Sequence, residues 1–223
     1  MASYKAHMAF GIFTAFGWTF LLFTLSLISI WLMPLVVFLT VIGSFLPDLD
    51  SDTGLPLKIL LTVFSILVSC FVGLFLFISD KYQFTTSVIF FFLSYGFSYF
   101  VIGGIIKKVT RHRGIFHSIP SVILSILLPL TCLNYFSLNQ EVKMILSISI
   151  GIGYLSHLIL DEMNSLVNLE GVPFVPKRSL GSALKLYSNQ WKITLMVYSA
   201  VILLFMKNWE IINSFYLNIL LRK

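Results

Sequence analysis

The sequence predicts an all-α membrane protein, a polytopic bundle of six or seven transmembrane helices. Three observations predict it. Charged residues make up only 11% of the chain, against about 25% in a soluble domain, so its side chains cannot cover a water-facing surface. Hydrophobic residues reach 58%, and the mean hydropathy is +0.95. These residues also fall in long runs, and about 20 of them cross a bilayer as one helix. A chain of 223 residues therefore holds six or seven spans in a single membrane-embedded domain, residues 1–223, with no separate soluble domain.

The runs lie near 8–30, 32–47, 56–78, 86–106, 115–136, 142–163 and 192–207, with a weaker piece at 209–221. The first has only Lys5 before it and no small-x-small cleavage site, so it is read as a retained helix rather than a signal peptide. Trp31–Pro34 closes a tight hairpin between the first two runs. The long connection 165–191 carries Pro173, Pro176 and Gly181, and its end, around Ala183–Tyr187, reads as a short interfacial helix. Cys70 and Cys132 each sit among apolar residues with no CxxC pair, which supports neither a disulfide framework nor a thiolate site.

Threading the runs through a membrane sorts the polar residues. With His7 on one side, the even-numbered crossings return to that side at Asp48 and Asp50, at Lys107–Ser118, and at His157 and Asp161. All four histidines, and every aspartate except Asp80, fall there. So do ten basic residues (Lys5, Lys58, Lys107, Lys108, Arg111, Arg113, Lys177, Arg178, Lys185 and Lys192), against Lys81, Lys143 and Lys207 opposite. Basic loops mark the cytoplasm. The net charge of +6 is thus explained by topology and anionic headgroups, and nucleic acid is not an expected partner.

The clustered residues are metal-ligand types. His157 and Asp161 are four apart, on one helix face. Ionisable groups inside a span cost about 2.5–3.5 kcal/mol each at the helix centre, which argues for function over a bare helix lock. Asp48 and Asp50 follow Pro47, which ends a helix, while Asp52 fits simple loop solvation. His112 and His117 flank Gly114, a spacing that suits a loop entering a helix. Ser118 either caps that helix or supports a ligand from behind. His7 joins by its shared side. Four imidazoles and three carboxylates exceed one tetrahedral zinc. They suggest two ions, or one ion with an acid/base pair, of a kind that polarises a phosphoryl oxygen and supplies hydroxide at neutral pH. Zinc suits the donors best, with manganese or magnesium as alternatives. Arg111 and Arg113 serve either topology or a bidentate grip on an anionic substrate.

At these residues the chain resembles the YdjM-type, LexA-regulated inner-membrane proteins, which are grouped with metal-dependent hydrolases. The resemblance rests on His7 with Gly11, Pro47–Asp50, His112–Ser118, Gly153–Asp161 and Gly171–Pro176. It covers most of the chain in order, and it is distantly similar to helical zinc phospholipases C and zinc nucleases. That implies phosphoester hydrolysis by analogy. Asn164 departs from the threonine usual there, and the 166–170 connection looks longer. Both departures bear on substrate fit.

The expectation is therefore a multi-pass inner-membrane enzyme that hydrolyses a phosphoester in a membrane lipid at a cytoplasmic-face metal site. His7, Asp48, Asp50, His112, His117, His157 and Asp161 are the expected ligands, with Asp50, His117 and Asp161 closest to the chemistry. The rival is a metal-ion transporter or metal-dependent sensor. A transporter would place its site on broken helices near the bilayer midplane, whereas these residues gather toward one face.

Overall fold

Each long apolar run forms a helix because a backbone in lipid must satisfy its own hydrogen bonds. A computed structural model describes residues 4–50, 55–78, 83–104, 115–167, 181, 184–188 and 191–221. Helix α1 spans Tyr4–Thr24 and α2 spans Met33–Phe45, with Pro34 in the first turn of α2, where its missing N–H is harmless. Helix α3 spans Leu55–Ile78, and α4 spans Phe84–Gly96 and runs on as a π-helical turn, Phe97–Ile102. Helix α5 is Ile119–Leu133, α6 Gln140–Val167, α7 Trp191–Lys207 and α8 Trp209–Leu221.

Among the described residues, five helices are long and apolar enough to cross a membrane. The count is six if α7 and α8, bent by 63° at Asn208, form one span. The upper count meets the lower bound of the expected six or seven. The run 115–136 is left out of that count by length alone, although the alternating thread carries it across. Its first residues form a turn, and the 15-residue α5 that follows is about 22 Å long, short of the roughly 30 Å hydrocarbon core. The expected interfacial helix around Ala183–Tyr187 is revised. Residues 184–188 are not helical, and Lys185 pairs with Ser118 as an isolated parallel bridge.

The contacts divide the chain into two units, Met1–Pro47 with Arg113–Lys223, and Asp48–His112. In the second unit α3 packs along α4, and Gly73 lies against Phe91. In the first unit α6 is the central helix, with α1, α2, α5 and α8 packed on it. The α2–α6 crossing is close because two glycines make it so. A Cβ on Gly43 would collide with the Ile150 carbonyl, and one on Gly153 with the Thr40 carbonyl. Small residues that let backbones approach are the ordinary means of helix association in lipid. Trp18 Nε1 donates to Ser149 Oγ at 3.1 Å and ties α1 to α6. An apolar core of Leu22, Ile28, Val36, Ile145 and Leu146 fills one end of this unit. His7, His117, His157 and Asp161 collect at the other.

Candidate metal centre

Four segments deliver the site's polar groups to that end. The first is the turn Ile115–Ser118. Its carbonyls are held by hydroxyls: Ser118 Oγ and Ser121 Oγ both donate to Ile115 O, the latter at 2.8 Å, and Tyr154 OH donates to Phe116 O. Ser118 is the N-cap residue of α5 by position, but its side chain makes no capping bond and instead pins the turn behind it. The Ile119 N–H donates to Lys185 O at 3.0 Å, which docks the 184–188 segment beside the same turn. His117, so fixed, is 1% exposed.

The second segment is the end of α2. Pro47 has no N–H to return to the Gly43 carbonyl, so Leu46 N–H takes that carbonyl and the chain tightens into the 3-10 turn Leu46–Asp50. Near this end the Ser44 carbonyl accepts from His157 Nδ1 at 2.8 Å. The third segment is the face of α6 that carries His157 and Asp161, with Ser165 Oγ donating back to Asp161 O at 2.9 Å. The fourth is the start of α1, where His7, one turn in, stacks on His157 with ring centroids 3.8 Å apart and planes 10° apart.

Asp161 is the meeting point. His7 Nε2 lies 3.2 Å from its Oδ1. His117 Nε2 lies 3.7 Å and His157 Nε2 3.8 Å from its Oδ2. Donor atoms of His117, His157 and Asp161 all lie within 4.8 Å of one another, and all three residues are buried.

Whether these residues fit an ion is decided by His157. A carbonyl only accepts, so Nδ1 carries a proton, and Nε2 is the ring atom turned toward Asp161 Oδ2, at 3.8 Å. An imidazole nitrogen and a carboxylate oxygen that face each other in a buried site are bridged by a cation or a proton. Ligand atoms around a first-row ion with bonds of about 2.1 Å sit roughly 3.3–3.6 Å apart in tetrahedral or trigonal array. The observed 3.7 and 3.8 Å are a few tenths wider. The Nδ1–carbonyl bond of His157 is also the usual second contact of a ligating histidine. The donor set fits a divalent ion that accepts nitrogen and oxygen.

The chain belongs to the YdjM inner membrane protein family. The family matches over residues 1–221, and with the apolar helices it makes this a multi-pass inner-membrane protein. No curated protein and no solved structure matches the chain.

In this YdjM-family chain the structure brings His7, His117, His157 and Asp161 together. Asp48 is half-buried on the turn after Pro47, at the start of the second unit, and Asp50 ends the same turn. Arg111, His112 and Arg113 lie outside the described residues. Three contributors escaped the sequence reading. The Ser44 carbonyl is backbone and has no residue signature. The Ser121 hydroxyl looks like any membrane serine. Tyr154 had a usable signal, since it precedes His157 by three residues and so shares its side of α6.

Proposed function

We propose that this YdjM-family protein is a membrane-bound, metal-dependent hydrolase that cleaves a phosphoester, with a membrane lipid as the substrate class. One observation carries the reading: three imidazoles converge on one buried carboxylate, at 3.2, 3.7 and 3.8 Å. A bare helix lock needs only one such pair.

His117 Nε2, His157 Nε2 and Asp161 Oδ2 would hold the ion, zinc by preference, with manganese or magnesium as alternatives. A divalent ion there supplies Lewis-acid polarisation of a phosphoryl oxygen and acidifies water. The protein does the rest. Ser44 fixes the tautomer and ring plane of His157. Ser118, Ser121 and Tyr154 fix the turn of His117. His7 Nε2 donates to Asp161 Oδ1 and so orients the carboxylate. Burial of all four residues keeps bulk water out, which strengthens every charge interaction inside. Arg111 and Arg113 precede His117 in sequence and bring guanidinium donors suited to a phosphate. The bias of basic residues orients this face to the cytoplasm.

The test is a panel of phospholipids offered to detergent-purified protein, before and after chelation and with zinc, manganese or magnesium restored. The expected result is release of a phosphoester product that chelation abolishes and one of the ions restores. Hydrolysis that is indifferent to chelation, or metal bound with no turnover of any lipid, contradicts the reading.

A further inference from the structure

Asn164 is buried to 7% exposure, and its Nδ2 has no hydrogen-bond partner. A buried amide donor left unmade is unfavourable, and native structures rarely keep one without a use. Its position suggests the use. Asn164 follows Asp161 by three residues and His157 by seven on the continuous helix α6. At 100° per residue it lies within about 20° of His157 around the axis, and about 4.5 Å beyond Asp161 along it. The unmade donor therefore stands on the same face of α6 as the His157–Asp161 pair, one turn further toward the helix end. A phosphoryl group whose one oxygen meets the His117–His157–Asp161 cluster has further oxygens within a turn's reach.

We infer that Asn164 Nδ2 donates to a phosphoryl oxygen of the substrate and so positions it at the cluster. This rests on the phosphoester reading above and adds to it a substrate-binding group outside the ligand set. A lipid phosphate and a soluble phosphoester offer the same oxygen. The contact is a hydrogen bond only, with no covalent step. It accounts for retaining a polar side chain where leucine would pack without penalty.

The experiment uses full-length protein in detergent, loaded with metal, and a short-chain phosphonate analogue of phosphatidic acid that cannot be hydrolysed. Binding is measured by calorimetry for the parent, Asn164→Leu and Asn164→Ala, with inorganic phosphate as a second probe. Both variants should bind the phosphonate about tenfold more weakly, the loss of one hydrogen bond to a charged oxygen. Metal content should not change. Asn164→Leu should melt at or above the parental temperature, because it removes an unmade donor. Preference for the phosphonate lipid over inorganic phosphate assigns the oxygen to a lipid, and equal binding assigns it to a soluble phosphoester. Either supports the contact. Parental binding in Asn164→Ala overturns it, as does loss of metal in that variant, which would make Asn164 a support of the metal cluster. Because the probe is inert, parental binding that depends on Asn164 without turnover of any lipid counts against hydrolysis alone.

Discussion

His157 is held on three sides by groups that fix different things. The Ser44 carbonyl fixes its proton, His7 stacks on its ring, and Asp161 faces its Nε2. His117 is fixed less directly, through a turn whose carbonyls are gripped by Ser118, Ser121 and Tyr154. Tyr154→Phe removes one of those grips without changing the packing shape. It should lower stability by about 0.5–1.5 kcal/mol and weaken metal affinity about tenfold, within the range for an outer-shell contact. Thermal shift and metal titration on the same samples check both. Unchanged metal affinity would mean that the turn does not need the tyrosine. At this scale the sequence was informative where side chains carry charge. His157 and Asp161 stand out in an apolar run because lipid makes them unfavourable. The hydroxyls do not stand out, because many serines and threonines here simply donate back to a carbonyl three or four residues earlier, as Thr40, Ser69 and Ser147 do.

At the scale of the element, two features govern the first unit. One is the α2–α6 crossing, where Gly43 and Gly153 bring backbones into contact and so bring the Ser44 carbonyl within reach of His157. Gly153→Ala should push the helices apart, at about 1–3 kcal/mol for overpacking, and should lower metal occupancy as the Ser44 contact lengthens. A variant with parental stability and metal content would show that the crossing has slack. The other feature is the break between α7 and α8. Asn208 is 1% exposed there, donates to Thr131 Oγ1 at 2.7 Å and accepts from Asn134 Nδ2 at 2.9 Å, which latches the break to the end of α5. Asn208→Leu strands the Asn134 amide and should lower stability by about 1–3 kcal/mol. Its metal content should match the parent, since the latch lies at the far end of α5 from His117. Loss of metal in Asn208→Leu would tie the break to the centre. Run lengths and flanking prolines made the helices legible. The crossing was not, because a glycine in a membrane sequence does not name the backbone it will meet. Nor was the shortness of α5, because Ile115 and Phe116 of the preceding turn extend the apolar run.

For the whole molecule, the described histidines and Asp161 gather at one end of the first unit and an apolar core fills the other. The gathering of His7, His117 and His157 follows from a thread that alternates sides, which is why one end was legible from run counting alone. The orientation of that end rests on charge bias. It is tested in a background lacking Cys70 and Cys132, both exposed. A cysteine at Tyr135, 81% exposed just after α5, should react with an impermeant thiol reagent outside intact cells. One at Tyr187, 71% exposed in the segment docked beside His117, should react only after lysis. The opposite pattern inverts the topology.

The central claim is that the convergence on Asp161 exists to hold an ion, and metal stoichiometry tests it most directly. Protein purified without chelator, as parent, Asp161→Asn, His117→Ala and His157→Ala, should be measured by elemental analysis alongside a fold check by thermal shift. The account expects at least one divalent ion per chain in the parent and a sharp loss in each variant, while all four remain folded. A folded parent that takes up no ion from zinc, manganese or magnesium would contradict it, as would an Asp161→Asn variant that keeps the parental content.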